Sequence, residues 1–233
     1  MKTLKINRIS SRPYSGDVYD LSVVKNHNFL ADGVVIHNCG KKRYILNVLN
    51  NEGVEYKEPV IKVTGIEAIK SSTPFICRDA LTNSFKIMMN GTESQIQDYI
   101  KKFKEDFKTR SFEEIAIPKG VSNINYKEGD KAIPINSRGS IVYNALIEKH
   151  KLQGMYETIS NGDKIKYCYL KTPNVARSNV IASPGPLPKE FGLEKYIDYN
   201  TQFDKTFMSP LKIILDAIGW EAEKRSRIDS FFE

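Results

Sequence analysis

With 233 residues, 40% of them hydrophobic and 27% charged, the sequence describes a soluble globular protein with room for one large domain or two modest ones. No apolar run approaches a membrane span, the start Met1-Lys2-Thr3-Leu4-Lys5 lacks a signal-peptide stretch, and three cysteines (Cys39, Cys77, Cys168) without metal-ligand spacing argue against a disulfide framework or a zinc site. The formal charge of +7 points to an acidic partner, with nucleic acid first among candidates, and the cysteine usage to a reducing cytoplasm.

Taken in chain order, residues 1 to 16 hold Lys2, Lys5, Arg8 and Arg12 and no acidic residue, which makes a basic arm. Asp17 to Val24 alternates as a half-buried strand, and Asn28 to Ala31 and Val34 to His37 flank Asp32-Gly33, the signature of a tight hairpin. A β segment this short cannot bury a core by itself, so it is expected to need a partner. Arg43 to Asn50 and Val54 to Val63 read as strands joined at Asn51-Glu52-Gly53. Pro74 is placed at the first position of a helix with the stripe Cys77, Leu81, Phe85 and Met88, stopped by Asn90-Gly91. A second helix starts at Thr92-Glu93-Ser94 and aligns Ile96, Tyr99, Ile100, Phe103 and Phe107. Residues 111 to 138 read as irregular, Arg138 to Lys151 as helix, Lys164 to Lys171 as strand and Ser183 to Pro188 as loop. Residues 199 to 218 read as mostly helical, and Trp220 to Glu233 as a charged tail.

The chemistry concentrates at His37-Asn38-Cys39. An asparagine side-chain nitrogen can attack its own backbone carbonyl and cut the chain after itself, and a following cysteine can carry an acyl group on sulfur and pass it to its own freed nitrogen. Histidine suits the proton transfers this needs near neutral pH, and His37 adjoins the scissile bond while His27 lies on the facing hairpin strand. Asp20 is positioned to tune the Cys39 thiol or to hydrogen-bond a histidine. Any one of these residues alone is more often structural, but the combination is not.

Val18-Tyr19-Asp20-Leu21, His27-Asn28-Phe29 and Val34 to Cys39 resemble the two C-terminal motif blocks of inteins, residue by residue and in spacing. The resemblance implies that Asn38 cyclises, that Cys39 is the first downstream extein residue and acyl acceptor, and that Asp20, His27 and His37 assist. The family's first nucleophile and its Thr-x-x-His motif find no counterpart in the 37 residues ahead of Asn38. The implied arrangement is a split intein whose N-terminal half is on another polypeptide, with the basic arm capturing an acidic partner. Splicing of this kind needs no cofactor.

From Gly40 onward, Lys41-Lys42-Arg43-Tyr44 combines phosphate-neutralising cations with an aromatic. It resembles the Lys-Lys-x-Tyr motif of family B DNA polymerases. Lys62 to Pro74 looks like the palm-to-thumb segment of T-even-like phage polymerases, and Ser137-Arg138-Gly139 with Tyr143-Asn144 like their thumb element. The tail with Ile228, Phe231 and Phe232 is similar to the peptide with which those polymerases hold a sliding clamp. The resemblance implies minor-groove contacts by Lys42 and Lys70, phosphate contacts by Lys41, Arg43 and Arg138, and a DNA contact by Tyr44. It also implies Mg2+ only in the assembled polymerase, bound by the other chain, because no metal-binding aspartate motif is matched here.

The expected fold class is α+β, with a small all-β intein segment over 1–38, a polymerase palm edge over 39–73, a mainly helical thumb over 74–219 and a clamp-binding tail over 220–233. The expected partners are an N-terminal intein–polymerase fragment, primer–template DNA and a sliding clamp, without a membrane, in the cytoplasm of a phage-infected bacterium. Two other readings stand beside this one. The first is a stand-alone DNA-binding or clamp-binding accessory protein with an inactive intein remnant. The second is self-cleavage without ligation.

Overall fold

The computed structural model describes residues 28–31, 34–37, 44–51, 53–126 and 133–224. The chain divides into two units, Met1–Lys42 and Arg43–Glu233.

In the first unit, β1 (Asn28–Ala31) and β2 (Val34–His37) pair antiparallel. The register runs from Ala31 opposite Val34 to Asn28 opposite His37, so Asp32-Gly33 is the two-residue connection expected of a tight hairpin. The strand expected over 17–24 lies outside the described residues.

The second unit opens with a longer hairpin, β3 (Tyr44–Asn51) and β4 (Val54–Thr64), paired from Tyr44–Thr64 to Asn51–Val54 with a register shift between Val48 and Asn50. Its turn uses Gly53 at φ 89°, a conformation that suits glycine, and the Gly53 N–H donates to Asn50 Oδ1 at 3.0 Å. A 3-10 turn over Glu67–Ile69 leads to α1 (Phe75–Asn90), which buries Cys77, Leu81 and Phe85 as the sequence stripe predicts, while Met88 is half-buried. Pro74 is the N-cap rather than the first helical residue, since its ψ of 144° is still extended. Thr92 caps α2 (Glu93–Phe107) in a reciprocal capping box, its N–H donating to Gln95 Oε1 at 2.8 Å. Phe103 and Phe107 of α2 meet Phe203 and Phe207 in an aromatic cluster, with Phe103 and Phe207 centred 4.8 Å apart. Such pairs contribute about 0.5–1.5 kcal/mol each beyond the area they bury.

The segment 111–138, read as irregular, holds α3 (Phe112–Ile115), β5 (Ile117–Gly120) and the start of α4 (Ile135–Lys149). The α3 cap is a Ser111–Glu114 capping box, and Pro118 is compatible with β5 because β5 is an edge strand. β5 pairs with β6 (Lys164–Tyr169), which pairs with β7 (Val180–Ser183), all antiparallel. The strand expected to reach Lys171 ends at Tyr169, with Leu170 forming an isolated bridge to Ile197. β7 lies mostly ahead of the expected loop, whose first residue, Ser183, is its last.

α4 packs over β7 through Gly139, where a Cβ would stand 3.0 Å from the Ala182 nitrogen. The chain then runs through α5 (Tyr199–Phe203), a π turn over Asp204–Met208 and α6 (Ser209–Ile218), closed by Gly219 at φ 76°. The tail expected from Trp220 starts fastened to α2. The Glu221 N–H donates to Glu93 Oε1 at 2.6 Å, and Gln97 Nε2 donates to the Glu221 carbonyl at 3.0 Å. The second unit is thus mixed α and β, with small sheets and helices around one apolar core.

Candidate splice junction and nucleic-acid interface

The hairpin of the first unit ends where the proposed chemistry begins. β2 closes on His37, paired with Asn28, and the next two residues along the chain are Asn38 and Cys39. His27 is the residue that precedes Asn28. Asp20, His27, Asn38 and Cys39 lie outside the described residues. The two other cysteines are core residues. Burial pushes the Cys77 thiol up to about 11 against an opposing hydrogen bond to Thr206, and burial pushes the Cys168 thiol well above the ordinary range. Both are therefore poor nucleophiles near neutral pH.

Of the residues singled out for DNA contact, Lys41, Lys42 and Arg43 lie outside the described residues, and so do Ile228, Phe231 and Phe232 of the tail. Tyr44 opens β3 opposite Thr64 and is half-buried. Lys70 follows the Glu67–Ile69 turn, and its Nζ sits 2.6 Å from Glu67 Oε1. A part-exposed pair of this kind is worth about 0–1 kcal/mol, so releasing Lys70 from it costs little. Tyr44 and Glu67 line one groove, which puts the Lys70 turn on the same side of the unit as Tyr44.

Arg138 belongs to a different neighbourhood. It projects from α4, where its Nη2 donates to Asn179 Oδ1 at 3.0 Å, while its buried Nε has no hydrogen-bond partner among the described residues. Its charge also reaches Tyr169, whose hydroxyl is pushed up by burial and pulled back by the guanidinium. The rest of that sequence element is structural. Gly139 permits the close approach to β7, and Tyr143 is buried. Asn144 braces Ile159 with two hydrogen bonds of 2.8 Å, one to its carbonyl and one from its N–H.

Sequence reasoning missed an apolar groove of about 380 Å³ at the base of the β3–β4 hairpin, between α1 and α6. Its walls come from four separate stretches of sequence, so no local pattern announces it. The available signal is the apolar surplus of α6, whose Ile213 and Ile218 line the groove and are 64% and 47% exposed. Among the described residues no group of three or more His, Cys, Asp and Glu is arranged to hold a metal ion, and no helix is long and apolar enough to cross a membrane.

No family model matches the sequence. Most of the chain is nevertheless homologous to a segment of phage DNA-directed DNA polymerases. It is 30% identical over 202 residues to the DNA-directed DNA polymerase of Enterobacteria phage T4, covering 82% of this chain and 22% of that protein. To the DNA-directed DNA polymerase of Escherichia phage RB69 it is 32% identical over 203 residues, covering 83% of this chain and 22% of that protein. The chain therefore spans about a fifth of the length of these curated relatives. A shorter likeness, 31% over 64 residues, links it to the reverse gyrase of Methanocaldococcus jannaschii, 4% of which is covered.

Proposed function

We propose that residues 1 to 38 are the C-terminal half of a split intein, and that the rest is the palm edge, thumb and clamp-binding tail of a phage family B DNA polymerase. The chain is a splicing precursor that joins itself to the polymerase fragment carrying the intein's N-terminal half. The reading rests chiefly on the hairpin register, which ends on the Asn28–His37 pair and leaves His27 and Asn38 each one peptide bond from a paired residue. A hairpin of that register suits a reaction that needs histidine, asparagine and cysteine held within reach of one bond.

In the proposed reaction the first half of the intein passes the upstream polymerase fragment to the Cys39 sulfur as a thioester. The Asn38 side-chain nitrogen then attacks the Asn38 carbonyl carbon. The Asn38–Cys39 peptide bond breaks, His37 or His27 delivers a proton to the departing nitrogen, and residues 1 to 38 leave as a succinimide-ended peptide. The freed Cys39 amine attacks the thioester carbonyl, forms a peptide bond and returns the thiol. Cys77 and Cys168 do not compete, because burial holds their thiols protonated.

In the product, Lys41, Lys42, Arg43, Tyr44, Lys70 and Arg138 grip primer–template DNA, and Ile228, Phe231 and Phe232 hold a sliding clamp. Mg2+ for nucleotidyl transfer would be held by carboxylates of the other fragment. Mixing the chain with its companion and mapping peptides across Cys39 tests this function. The expected product has a companion residue in place of Asn38. Finding only a chain hydrolysed at Asn38 and an unligated companion would refute it.

A further inference from the structure

The β3–β4 hairpin has two faces, and one of them meets the core. Residues paired across antiparallel strands share a face, so Ile45 and Val63 lie on one side and Tyr44, Leu46, Val48, Val60, Lys62 and Thr64 on the other. Ile45 and Val63 pack against the core. On the opposite side Leu46 and Val60 are each 47% exposed. An antiparallel sheet whose second face meets water carries polar residues there, and a two-stranded hairpin is marginal by itself. Here the second face is mainly apolar.

Tyr44 connects this face to the groove at the hairpin base, which Phe85, Met88, Ile213 and Ile218 also line. Glu67 is the one charged residue among the described residues of the groove wall, and it is paired with Lys70. Among the described residues the groove lining is otherwise apolar, a surface that suits a protein partner. On the reading above, that protein is the companion polymerase fragment. The similar segment makes up 22% of the T4 protein, which carries the other parts in one continuous chain. A segment of a larger protein, supplied separately, exposes the apolar surface that would otherwise face the remainder.

We propose that the outer face of the hairpin and its basal groove form the docking surface for the companion polymerase fragment, which they hold without a covalent link. The inference rests on the polymerase half of the reading above. Docking at this surface precedes ligation and raises the effective concentration of the two intein halves. It also keeps the fragments together as an assembled polymerase when splicing is blocked.

The test uses the full-length chain carrying Asn38→Ala and Cys39→Ala, so that nothing ligates, with photoreactive benzoylphenylalanine placed in turn at Leu46, Val60, Ile213 and, as a control on an exposed site elsewhere, Met155. Mixed with the companion fragment, the first three positions are expected to crosslink to it and Met155 is not. Adding Leu46→Lys and Val60→Lys is expected to lower the Ile213 crosslink yield about tenfold, as for loss of central apolar anchors. The melting temperature of the chain alone should stay unchanged, because both side chains are exposed. Crosslinks to a second copy, crosslinks to residues of the same chain, or no crosslink in a mixture that forms a complex would each overturn the proposal. Failure of the unmodified pair to ligate while these crosslinks persist would sink the splicing reading alone.

Discussion

The two units of this chain encode function in different ways. In Met1–Lys42 the proposed chemistry depends on order along the backbone, with a histidine, an asparagine and a cysteine in succession at the end of a two-strand hairpin. In Arg43–Glu233 it depends on surfaces assembled from distant stretches around a core of helices and small sheets. A segment that removes itself needs a correct peptide junction and a partner to complete its fold, whereas a segment that stays in the product needs its own core. The contrast predicts that damage to one unit leaves the other's function readable.

The largest effects sharpen this separation at the junction. Asn38→Ala is expected to abolish release of residues 1 to 38 and leave a branched thioester, seen as a slow-migrating species on denaturing gels. Cys39→Ala is expected to abolish ligation while cleavage after Asn38 continues. Normal ligation by Cys39→Ala would remove its nucleophilic role. Neither change should move the melting temperature of the second unit.

The converse variant is Phe107→Ala, which empties a fully buried ring position in the aromatic cluster. It is expected to cost about 3–5 kcal/mol in denaturant unfolding of the second unit. Ligation at low temperature should persist, and its loss would break the comparison. A smaller effect is expected of Asn144→Ala, which leaves the Ile159 N–H and carbonyl without their side-chain partner and costs about 1–3 kcal/mol. In the ligated product, Lys41→Ala should weaken primer–template binding and reduce the slope of log affinity against log salt by about 0.9 for one lost phosphate contact.

The smallest effect concerns pH. Burial raises the Cys77 thiol from 9.0 to about 11, so the folded state holds a proton that the unfolded chain releases. This contribution to stability is fully present below pH 9.0 and is lost as pH rises toward about 11. Denaturant titrations of wild type and Cys77→Ala across that range should show a steeper alkaline loss for wild type.

The legible parts of the sequence were those whose signals are local. The hairpin at Asp32-Gly33, the two strands around Gly53 and the stripes of α1 and α2 all follow from adjacent or helically spaced residues. β7 was not legible, because all four of its residues are buried and no alternation marks it as a strand. β5 was hidden by Pro118, which only its edge position makes compatible with pairing. The candidate site divides in the same way. The proposed junction could be read from sequence because the chemistry proposed for it requires neighbours in sequence. The basal groove was not, because Tyr44, Phe85 and Ile213 come together only in three dimensions. Arg138 was readable as a cation, but not its Asn179 partner 41 positions away.

The central claim is that residues 1 to 38 excise themselves as the chain is joined to another. Intact-mass measurement of the chain mixed with its companion fragment tests it most directly. The account predicts a released Met1–Asn38 peptide one water lighter than its hydrolysed form, together with a product whose mass equals Cys39–Glu233 joined to the companion's polymerase part. A released peptide of hydrolysed mass with no joined product would contradict it.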